Sequence, residues 1–328
     1  MSLLVVENLR TEFPTGRGLV RAVDGVSFRV DAGEVLGFVG ESGSGKSITA
    51  LSLLRLVPKP GRITADGMRF AGTDLLAATE RDLRQLRTRQ IGVVFQDPLR
   101  SLNPVLTIGR QLTETLRRHL GLSGNEARKR AVELLDMVGI PLAAKRLASY
   151  PHEFSGGMRQ RVMIAIALSC NPRLLIADEA TTALDVTVQA QIVELLRTLI
   201  RELDIAVIWI SHDLGLVAQL CDRVNVMYAG RIVESGPVRQ VFRQPSHAYT
   251  VGLIASTPRL DRVGHRLSTI EGLPPDTTRP TGLCAFLPRC GLSVERCRQA
   301  HPEPRPVGPD HLAACFAHEG RLREGFPQ

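Results

Sequence analysis

An eight-residue segment near the N-terminus has the composition of a phosphate-binding loop. It reads Gly-Glu-Ser-Gly-Ser-Gly-Lys-Ser and spans residues 40–47. Glycines allow consecutive backbone N–H groups to point at phosphate oxygens. We expect the Lys46 side chain to reach the β- and γ-phosphates of a nucleoside triphosphate and the Ser47 hydroxyl to bind Mg²⁺. The predicted nucleotide-binding residues of this loop are Gly40, Ser42, Gly43, Ser44, Gly45, Lys46 and Ser47.

The flanking residues place this loop between a strand and a helix. An apolar run at 35–39 precedes it, and 47–56 has the apolar spacing of a helix. A helix that begins behind the glycines adds partial positive charge toward the phosphates. Strand, loop and helix are the context in which this string binds phosphate, which disfavours a glycine-rich turn with a chance lysine.

An acidic pair follows a second apolar strand. Residues 174–177 are Leu-Leu-Ile-Ala, and Asp178 and Glu179 come directly after them. Asp178 is suited to hold Mg²⁺, usually through water, and Glu179 can polarise an attacking water as a general base. An acidic pair at a strand end without a catalytic role is the alternative.

Three further side chains are candidates for nucleotide contacts. Gln96 follows the apolar strand 91–95, and His212 follows the β-rich run 205–210. Ligand contacts gather at the carboxyl ends of strands in α/β sheets, and His212 could contact a γ-phosphate. Phe13 could stack on an adenine ring, although packing near a strand end explains it equally well. A lone Gln or His at such an edge is weak evidence.

Two helix starts carry further candidates. Ser155, Gly156 and Gly157 precede an apolar helix and could bind an anion through close backbone approach. Simple capping of that helix by Ser155 is the alternative. Asp185 precedes the amphipathic helix predicted at 188–199.

The sequence pattern of residues 101–150 is helical, unlike the alternation of strand and helix patterns in the rest of residues 1–250. Strand signals are absent there, and apolar residues recur at helical spacing. Ser123 and Glu126 have the spacing of a capping box, and Gly139 is a plausible stop for the helix that follows. We therefore predict an inserted helical subdomain.

Composition bounds the class of protein. The 328 residues are 44% apolar and 23% charged, as in an ordinary globular protein, and Lys+Arg 41 against Asp+Glu 33 gives a net charge of +8. A basic balance allows nucleic acid or an anionic membrane as partner. Aromatics are only 4%, and no basic block is interleaved with them, which weakens the nucleic-acid interpretation. With no signal-peptide pattern and no apolar run near ~18 residues, we expect a cytosolic protein without a membrane span.

The C-terminal region is rich in Pro and Arg, which favours an irregular extension, yet it contains four of the six cysteines. Disulfides are disfavoured in the cytosol. A zinc site is possible but lacks the usual close Cys pair, whereas an iron–sulfur cluster accepts irregular spacing. The other two cysteines, Cys170 and Cys221, have apolar or helical settings typical of buried thiols. The four cysteines of the extension are Cys284, Cys290, Cys297 and Cys315.

Taken in this order, these motifs resemble the full motif set of the nucleotide-binding domains of ABC transporters, and the resemblance covers about residues 3–250. Two positions depart from the family pattern: Met158 ends the signature, and Ala180 stands where Pro is usual. Neither change removes a chemical group that contacts phosphate. The resemblance implies Walker A at 40–47, the Q-loop at Gln96, the signature at 154–158, Walker B at 174–179, the D-loop at 183–185, the switch histidine at His212 and an adenine-stacking Phe13.

The same resemblance implies an α/β P-loop NTPase core with an antiparallel β subdomain and a site shared between two subunits. ATP held by Lys46 of one subunit would be closed by Ser155, Gly156 and Gly157 of the other, with Asp185 coupling the two sites. Glu179 would act on water, while His212 and Gln96 sense the γ-phosphate. Magnesium would be bound by Ser47, Gln96 and Asp178.

The tail, with Phe-Leu-Pro-Arg-Cys at 286–290, resembles the C-terminal region of oligopeptide/dipeptide permease ATP-binding subunits. This implies domains at 1–250 (helical subdomain about 97–165) and 251–328, and a 4Fe–4S cluster on the four cysteines, with Zn²⁺ or reduced thiols as the alternatives. It also implies an ATPase that drives import of di- or oligopeptides, bound peripherally at the cytoplasmic face of the bacterial inner membrane. Its expected partners are a second ABC ATPase subunit (paralogue or copy), two transmembrane permeases and an extracytoplasmic solute-binding protein, without nucleic acid.

Three alternatives remain open on sequence alone. They are an importer for nickel or another small solute, a non-transport ABC ATPase acting on DNA or ribosomes, and a redox or metal sensor in which the tail regulates the ATPase. Non-transport ABC ATPases usually have long coiled-coil inserts or two fused cassettes, and the chain has neither.

Overall fold

The computed structural model of the chain describes residues 2–97, 101–180, 185–256, 269–278 and 282–317. Two compact units divide the chain: residues 1–3, 30–35 and 77–210 form the first, and residues 4–29, 36–76 and 211–328 form the second. The strands are β1 (Ser2–Thr15), β2 (Gly18–Asp31), β3 (Val35–Val39), β4 (Arg62–Thr64), β5 (Gly67–Phe70), β6 (Thr73–Asp74), β7 (Ile91–Val94), β8 (Leu174–Asp178), β9 (Ala206–Ile210), β10 (Arg223–Tyr228), β11 (Arg231–Pro237), β12 (Arg305–Gly308) and β13 (His311–Ala313).

The described residues also form α-helices and short 3₁₀ turns. The 3₁₀ turns are Pro151–Glu153, Leu287–Arg289 and Glu295–Arg298. The helices are α1 (Lys46–Leu53), α2 (Glu80–Arg89), α3 (Ile108–Leu120), α4 (Gly124–Met137), α5 (Ala143–Arg146), α6 (Gly156–Leu168), α7 (Val186–Leu203), α8 (Leu214–Leu220), α9 (Val238–Arg243) and α10 (Ala248–Ala255). Within the described residues, none of these helices is long and apolar enough to cross a membrane.

The first unit is built on a parallel ladder. β8 pairs with β7 on one side and with β9 on the other, and Asp178 at the end of β8 lies opposite Ile210 at the end of β9. Gly92 of β7 faces the backbone of Ala167 in α6, so only a residue without Cβ lets helix and strand approach this closely. The strands therefore end together at one edge, as their apolar runs predict.

Residues 108–146 of the first unit form three helices and no strand, as the sequence predicts for this part of the chain. α3 ends at Gly121, which has a φ of 71°. α4 begins with the predicted capping box, in which Ser123 and Glu126 each accept an N–H from the other's backbone. The chain leaves α4 through Gly139 at a φ of 73°. The cap at Ser123 and the left-handed Gly139 confirm the predicted start and stop of this helix.

The second unit contains an antiparallel sheet and part of a mixed one. In the first, β1 lies between β2 and β5, β6 pairs with β5, and β4 pairs with β1. In the second, the fully buried β3 runs parallel to β10, and β10 forms a hairpin with β11 through Ala229 and Gly230. Both turn residues have positive φ, 48° and 81°, as a tight two-residue turn requires.

The C-terminal extension is more regular than its Pro- and Arg-rich composition predicts. β13 pairs with β11 and with β12, so the extension adds two short strands to the sheet. The buried Glu234 of β11 holds it in place, because its carboxylate accepts hydrogen bonds from the N–H groups of Ser246 and His247 and contacts His311 Nε2 at 2.8 Å. These partners lie far apart in sequence, which is why the local composition gave no sign of the strands.

Candidate nucleotide-binding and catalytic site

The phosphate-binding loop lies between β3 and α1, as predicted. Its backbone has shapes that only glycine adopts without strain, with φ of 149° at Gly40 and 106° at Gly45. A Cβ on Gly40 would overlap the carbonyl oxygen of Met227, and one on Gly45 the carbonyl oxygen of Ala22. Gly40 and Gly45 are therefore required both by the backbone path and by close packing.

The buried Lys46 side chain donates hydrogen bonds to other residues of its own loop. Its Nζ donates to the carbonyl oxygens of Gly40 at 2.8 Å and Glu41 at 2.9 Å, and it lies 3.3 Å from Ser44 Oγ. Phosphate oxygens could replace these acceptors, because an ammonium group can redirect its three donors. Ser47 is exposed, so its hydroxyl is accessible to a metal-bound nucleotide.

Two candidate catalytic residues meet at the strand edge of the first unit. Gln96, just beyond β7, donates from Nε2 to Glu179 Oε2 at 2.7 Å. Glu179 directly follows Asp178, has a left-handed φ of 49°, and donates its N–H to Ile210 at 3.0 Å. This places a carboxylate in a fixed orientation beside the end of β8. The sequence did not predict the Gln96–Glu179 hydrogen bond, which joins positions 83 residues apart.

The signature segment forms the start of α6. Ser155 Oγ accepts the N–H of Met158 at 3.3 Å, so the capping interpretation of Ser155 is confirmed. Ser155 and Gly156 are both exposed. Capping does not exclude anion binding, because the first N–H groups of a helix have no intrahelical acceptors.

Asp185 caps α7, accepting the N–H of Val188 at 2.9 Å, and it is exposed. Residues 183 and 184 of the predicted D-loop lie outside the described residues. His212 is exposed just beyond β9. Phe13 is half-buried in β1, and a Cβ on Gly61 would lie 2.7 Å from its ring. Phe13 thus has a local packing role, and its stacking on adenine stays a prediction.

The predicted residues divide between the two units. Gln96, Asp178, Glu179, Asp185 and the signature belong to the first, whereas Phe13, the phosphate loop and His212 belong to the second.

The four cysteines of the extension line one small cavity together with His247 and Phe286. None of the six cysteines, all of which lie within the described residues, forms a disulfide. Burial raises the pKa of Cys284 and of Cys290 to about 11, so both are neutral thiols at pH 7. Burial also lowers the pKa of His247 to about 3, and its Nε2 is buried without a hydrogen-bond partner. Within the described ranges, no three Cys, His, Asp or Glu side chains are arranged to hold a metal ion.

A loop that holds a buried lysine, and a strand-end glutamate oriented by a glutamine, are features of an ATP-binding cassette. Residues 23–182 match the family model described as "ABC transporter", and 233–297 match "Oligopeptide/dipeptide transporter, C-terminal region". A solved dimeric ATP-binding cassette in a post-hydrolysis state, bound to ADP and Pi, superimposes with a TM-score of 0.62 at 28% identity, covering 72% of this chain and 99% of that one. The chain is therefore an ABC-type ATPase.

Curated relatives define the family more narrowly. The putative peptide import ATP-binding protein of Brucella abortus (strain 2308) is 56% identical over 301 residues, which are 92% of this chain and 90% of that protein. The oligopeptide transport ATP-binding protein OppD of Salmonella typhimurium is 53% identical over 314 residues, 96% of this chain and 93% of that protein. The chain belongs to the ATP-binding proteins of the oligopeptide/dipeptide transporter family.

Proposed function

We propose that this ATPase energises the uptake of di- or oligopeptides by a bacterial ABC importer. The observation that carries the proposal is the match over nearly the whole chain to peptide-import ATP-binding proteins, including the C-terminal region at 233–297.

Each chain contributes the residues that bind the triphosphate and act on water. Lys46 exchanges its carbonyl acceptors for phosphate oxygens. Ser47, Asp178 and Gln96 would hold Mg²⁺, which neutralises charge that develops on the transferred phosphoryl group. Glu179 orients the attacking water and takes its proton. The hydrogen bond from Gln96 supports this role, because it fixes the carboxylate before water arrives.

A second ATPase subunit, a copy or a paralogue, completes the site. Ser155, Gly156 and Gly157 of that subunit would close on the γ-phosphate, while His212 senses it and Asp185 couples the two sites. Exposure of Ser155, Gly156 and Asp185 supports their availability to a partner.

The remaining partners follow from the same proposal. Two permease subunits would bind the helical subdomain at about 97–165 and hold the ATPase at the cytoplasmic face of the inner membrane. An extracytoplasmic binding protein would select the peptide. The division into a cassette at 1–250 and an extension at 251–328 belongs to this proposal.

Uptake by the reconstituted transporter tests the function. Proteoliposomes containing the chain, a second ATPase subunit and two permease subunits should accumulate labelled di- or oligopeptide only with ATP and binding protein present. A matched preparation with Glu179→Gln should not. Accumulation of Ni²⁺ without peptide would assign a small-solute importer instead, and ATP hydrolysis that no permease alters would favour a non-transport ATPase.

The four cysteines would hold a 4Fe–4S cluster, with a single Zn²⁺ as the alternative. The four thiols line one cavity and are soft ligands of the kind that either metal prefers. They are not arranged around a metal position in the described structure, so binding would draw them together. The unpartnered Nε2 of the neutral His247 also fits, since a bound sulfide or thiolate would accept its proton in a hydrogen bond. Because Cys284 and Cys290 are neutral thiols before binding, metal uptake must release protons.

Anaerobic purification tests the metal. The cluster predicts brown protein with absorbance near about 400 nm and about four iron atoms per chain. Cys290→Ser should lose this signal, whereas Cys170→Ser, outside the cavity, should keep it. Colourless protein with stoichiometric zinc would establish the alternative, and protein without either metal would refute both.

A further inference from the structure

The second residue of the phosphate-binding loop, Glu41, is held from outside the loop at two points. Its N–H donates to the Tyr249 hydroxyl at 2.7 Å, and its carboxylate accepts two N–H bonds from Arg289 at 2.8 and 3.0 Å. Its carbonyl oxygen accepts from Lys46 inside the loop at 2.9 Å. Backbone and side chain of Glu41 are thus both fixed, and its carbonyl is one of the acceptors that phosphate oxygens would replace on Lys46.

Arg289 is itself rigidly placed. It ends the 3₁₀ turn Leu287–Arg289 in the C-terminal extension, and its side chain is only 5% exposed. Nε donates to the carbonyl of Glu271 at 2.9 Å, Nη2 to the carbonyl of Ile270 at 3.0 Å, and Nη1 to the Tyr228 hydroxyl at 3.2 Å. A planar guanidinium with all three nitrogens engaged has one orientation, in which it meets a carboxylate in bidentate fashion.

An aromatic cluster supports both residues that hold Glu41. The rings of Tyr228 and Tyr249 lie 4.6 Å apart, and each has the ring of Phe286 packed edge-on at 5.3 and 5.4 Å. Burial raises the pKa of Tyr249, so its hydroxyl stays neutral and accepts the Glu41 N–H. The contacts to the loop are therefore made by a packed surface rather than by free side chains.

The charge of Glu41 explains why this support matters for nucleotide binding. A triphosphate is strongly anionic, and an unpaired carboxylate on the loop that binds it would repel it. Arg289 neutralises that carboxylate while leaving the loop N–H groups and Lys46 to face the phosphates.

We propose that Arg289 is a positioning residue for ATP binding, which holds Glu41 and neutralises it so that the phosphate-binding loop is preformed for the triphosphate. The extension thereby contributes to the nucleotide site of its own chain. This inference rests on the ATPase activity and is independent of which solute is transported.

A cycle of variants tests the proposal. Arg289→Ala should raise the Kd for a fluorescent ATP analogue, measured on the full-length chain, about tenfold or more, because it leaves the Glu41 carboxylate unpaired. Glu41→Gln, which removes the repelling charge, should bind within about threefold of wild type. Arg289→Ala/Glu41→Gln should recover to within about threefold as well, because rescue by the second change is the signature of an unpaired charge.

Kinetics separate positioning from general structural damage. In the assembled transporter, Arg289→Ala should raise KM for ATP and change kcat at saturating ATP less than about threefold, since no group that acts on water is removed. Arg298→Ala is the matched control, because Arg298 is exposed and follows Cys297 directly, whereas Arg289 precedes Cys290. It should leave both constants unchanged.

Three results would overturn the proposal: wild-type ATP affinity in folded Arg289→Ala, a double variant as weak as Arg289→Ala, or an equal loss in Arg298→Ala. Should Arg289→Ala fail to fold, Arg289→Lys takes its place, because lysine keeps the charge and loses the bidentate geometry. It should raise KM about threefold or more, and an unchanged KM would equally refute the role of Arg289.

Discussion

At the scale of single residues, Glu179 is the proposed general base. Its left-handed backbone and its hydrogen bond from Gln96 fix the carboxylate at the end of β8. Glu179→Gln preserves shape but cannot take a proton from water, so hydrolysis should fall at least about a hundredfold while ATP binding is retained. Phosphate release and binding of a fluorescent ATP analogue measure the two effects.

The control for that variant is Glu202→Gln, an exposed glutamate of α7 in the same unit, which should hydrolyse ATP at the wild-type rate. Near-normal hydrolysis by Glu179→Gln would remove Glu179 as the general base and leave Asp178 as the remaining acidic candidate.

His247 is the residue whose protonation links pH to stability. Burial lowers its pKa to about 3, from 6.5 in an unfolded chain, with a smaller contribution from the charge of His301. Below pH 6.5, His247 therefore binds a proton in the unfolded chain but stays neutral in the folded chain until the pH approaches 3. The stability contributed by the neutral ring is complete above pH 6.5 and is lost as pH falls toward 3, at about 1.4 kcal/mol per pH unit.

His247→Asn isolates this contribution. Asparagine can still cap α10, as His247 Nδ1 does by accepting the Tyr249 N–H, but it does not titrate. The difference in unfolding free energy between wild type and variant should shrink as pH falls from 6.5 to 5, measured by denaturant titration. The exposed His152→Asn serves as control and should stay parallel to wild type. Parallel curves for His247→Asn would show that the ring titrates freely.

At the scale of elements, local sequence predicts most of what positions the site. The loop between β3 and α1, the capping box of α4 and the turn at Ala229 and Gly230 all depend on residues within a few positions of each other. Glycine, cap and turn preferences act over that distance, so a single sequence contains them. The start of α6 also followed from Ser155, although the sequence could not choose between capping and anion binding.

The packing of α6 against α7 makes a prediction about the signature. A Cβ on Gly157 would lie 2.5 Å from Val188 Cγ1, well inside van der Waals contact. Gly157→Ala should therefore lower the unfolding free energy by about 1–3 kcal/mol, since the two helix starts must move apart. Denaturant titration gives the value, and adding Val188→Ala should recover part of it.

Gly124→Ala provides the comparison, because a Cβ there meets nothing within 4 Å and Gly124 is the first residue of α4. Alanine should keep or raise stability at that position by up to about 1 kcal/mol. A Gly157→Ala variant as stable as Gly124→Ala would mean that the Val188 side chain can move away from the new methyl group without lowering the unfolding free energy.

At the scale of the whole molecule, the contacts that the sequence did not predict all join distant positions. Glu41 and Arg289 are 248 residues apart, Gln96 and Glu179 are 83 apart, and β13 reaches back to β11. None of these residues has a neighbour in sequence that signals its partner. The family resemblance supplied the roles of Gln96 and Glu179, but it gave none to Arg289, whose function appears only when the extension is folded onto the phosphate loop.

The turn that contains Arg289 lies between Cys284 and Cys290. We therefore expect the affinity for ATP to depend on whether these cysteines bind the proposed metal. The backbone carbonyl of Cys284 accepts the N–H of Leu287, and the N–H of Cys290 donates to the carbonyl of Leu287. The two cysteines therefore lie on either side of the turn that directs Arg289 toward Glu41. Where the chain is purified with the proposed metal, removal of the metal by a chelator should therefore raise the Kd for ATP about fivefold or more. Bound ATP should raise the affinity for the metal by the same factor, because linkage is reciprocal. In Arg289→Ala/Glu41→Gln, which lacks the connecting pair, chelation should leave the ATP Kd unchanged. An equal shift in that variant would show that the metal acts on the nucleotide site by a route other than Arg289.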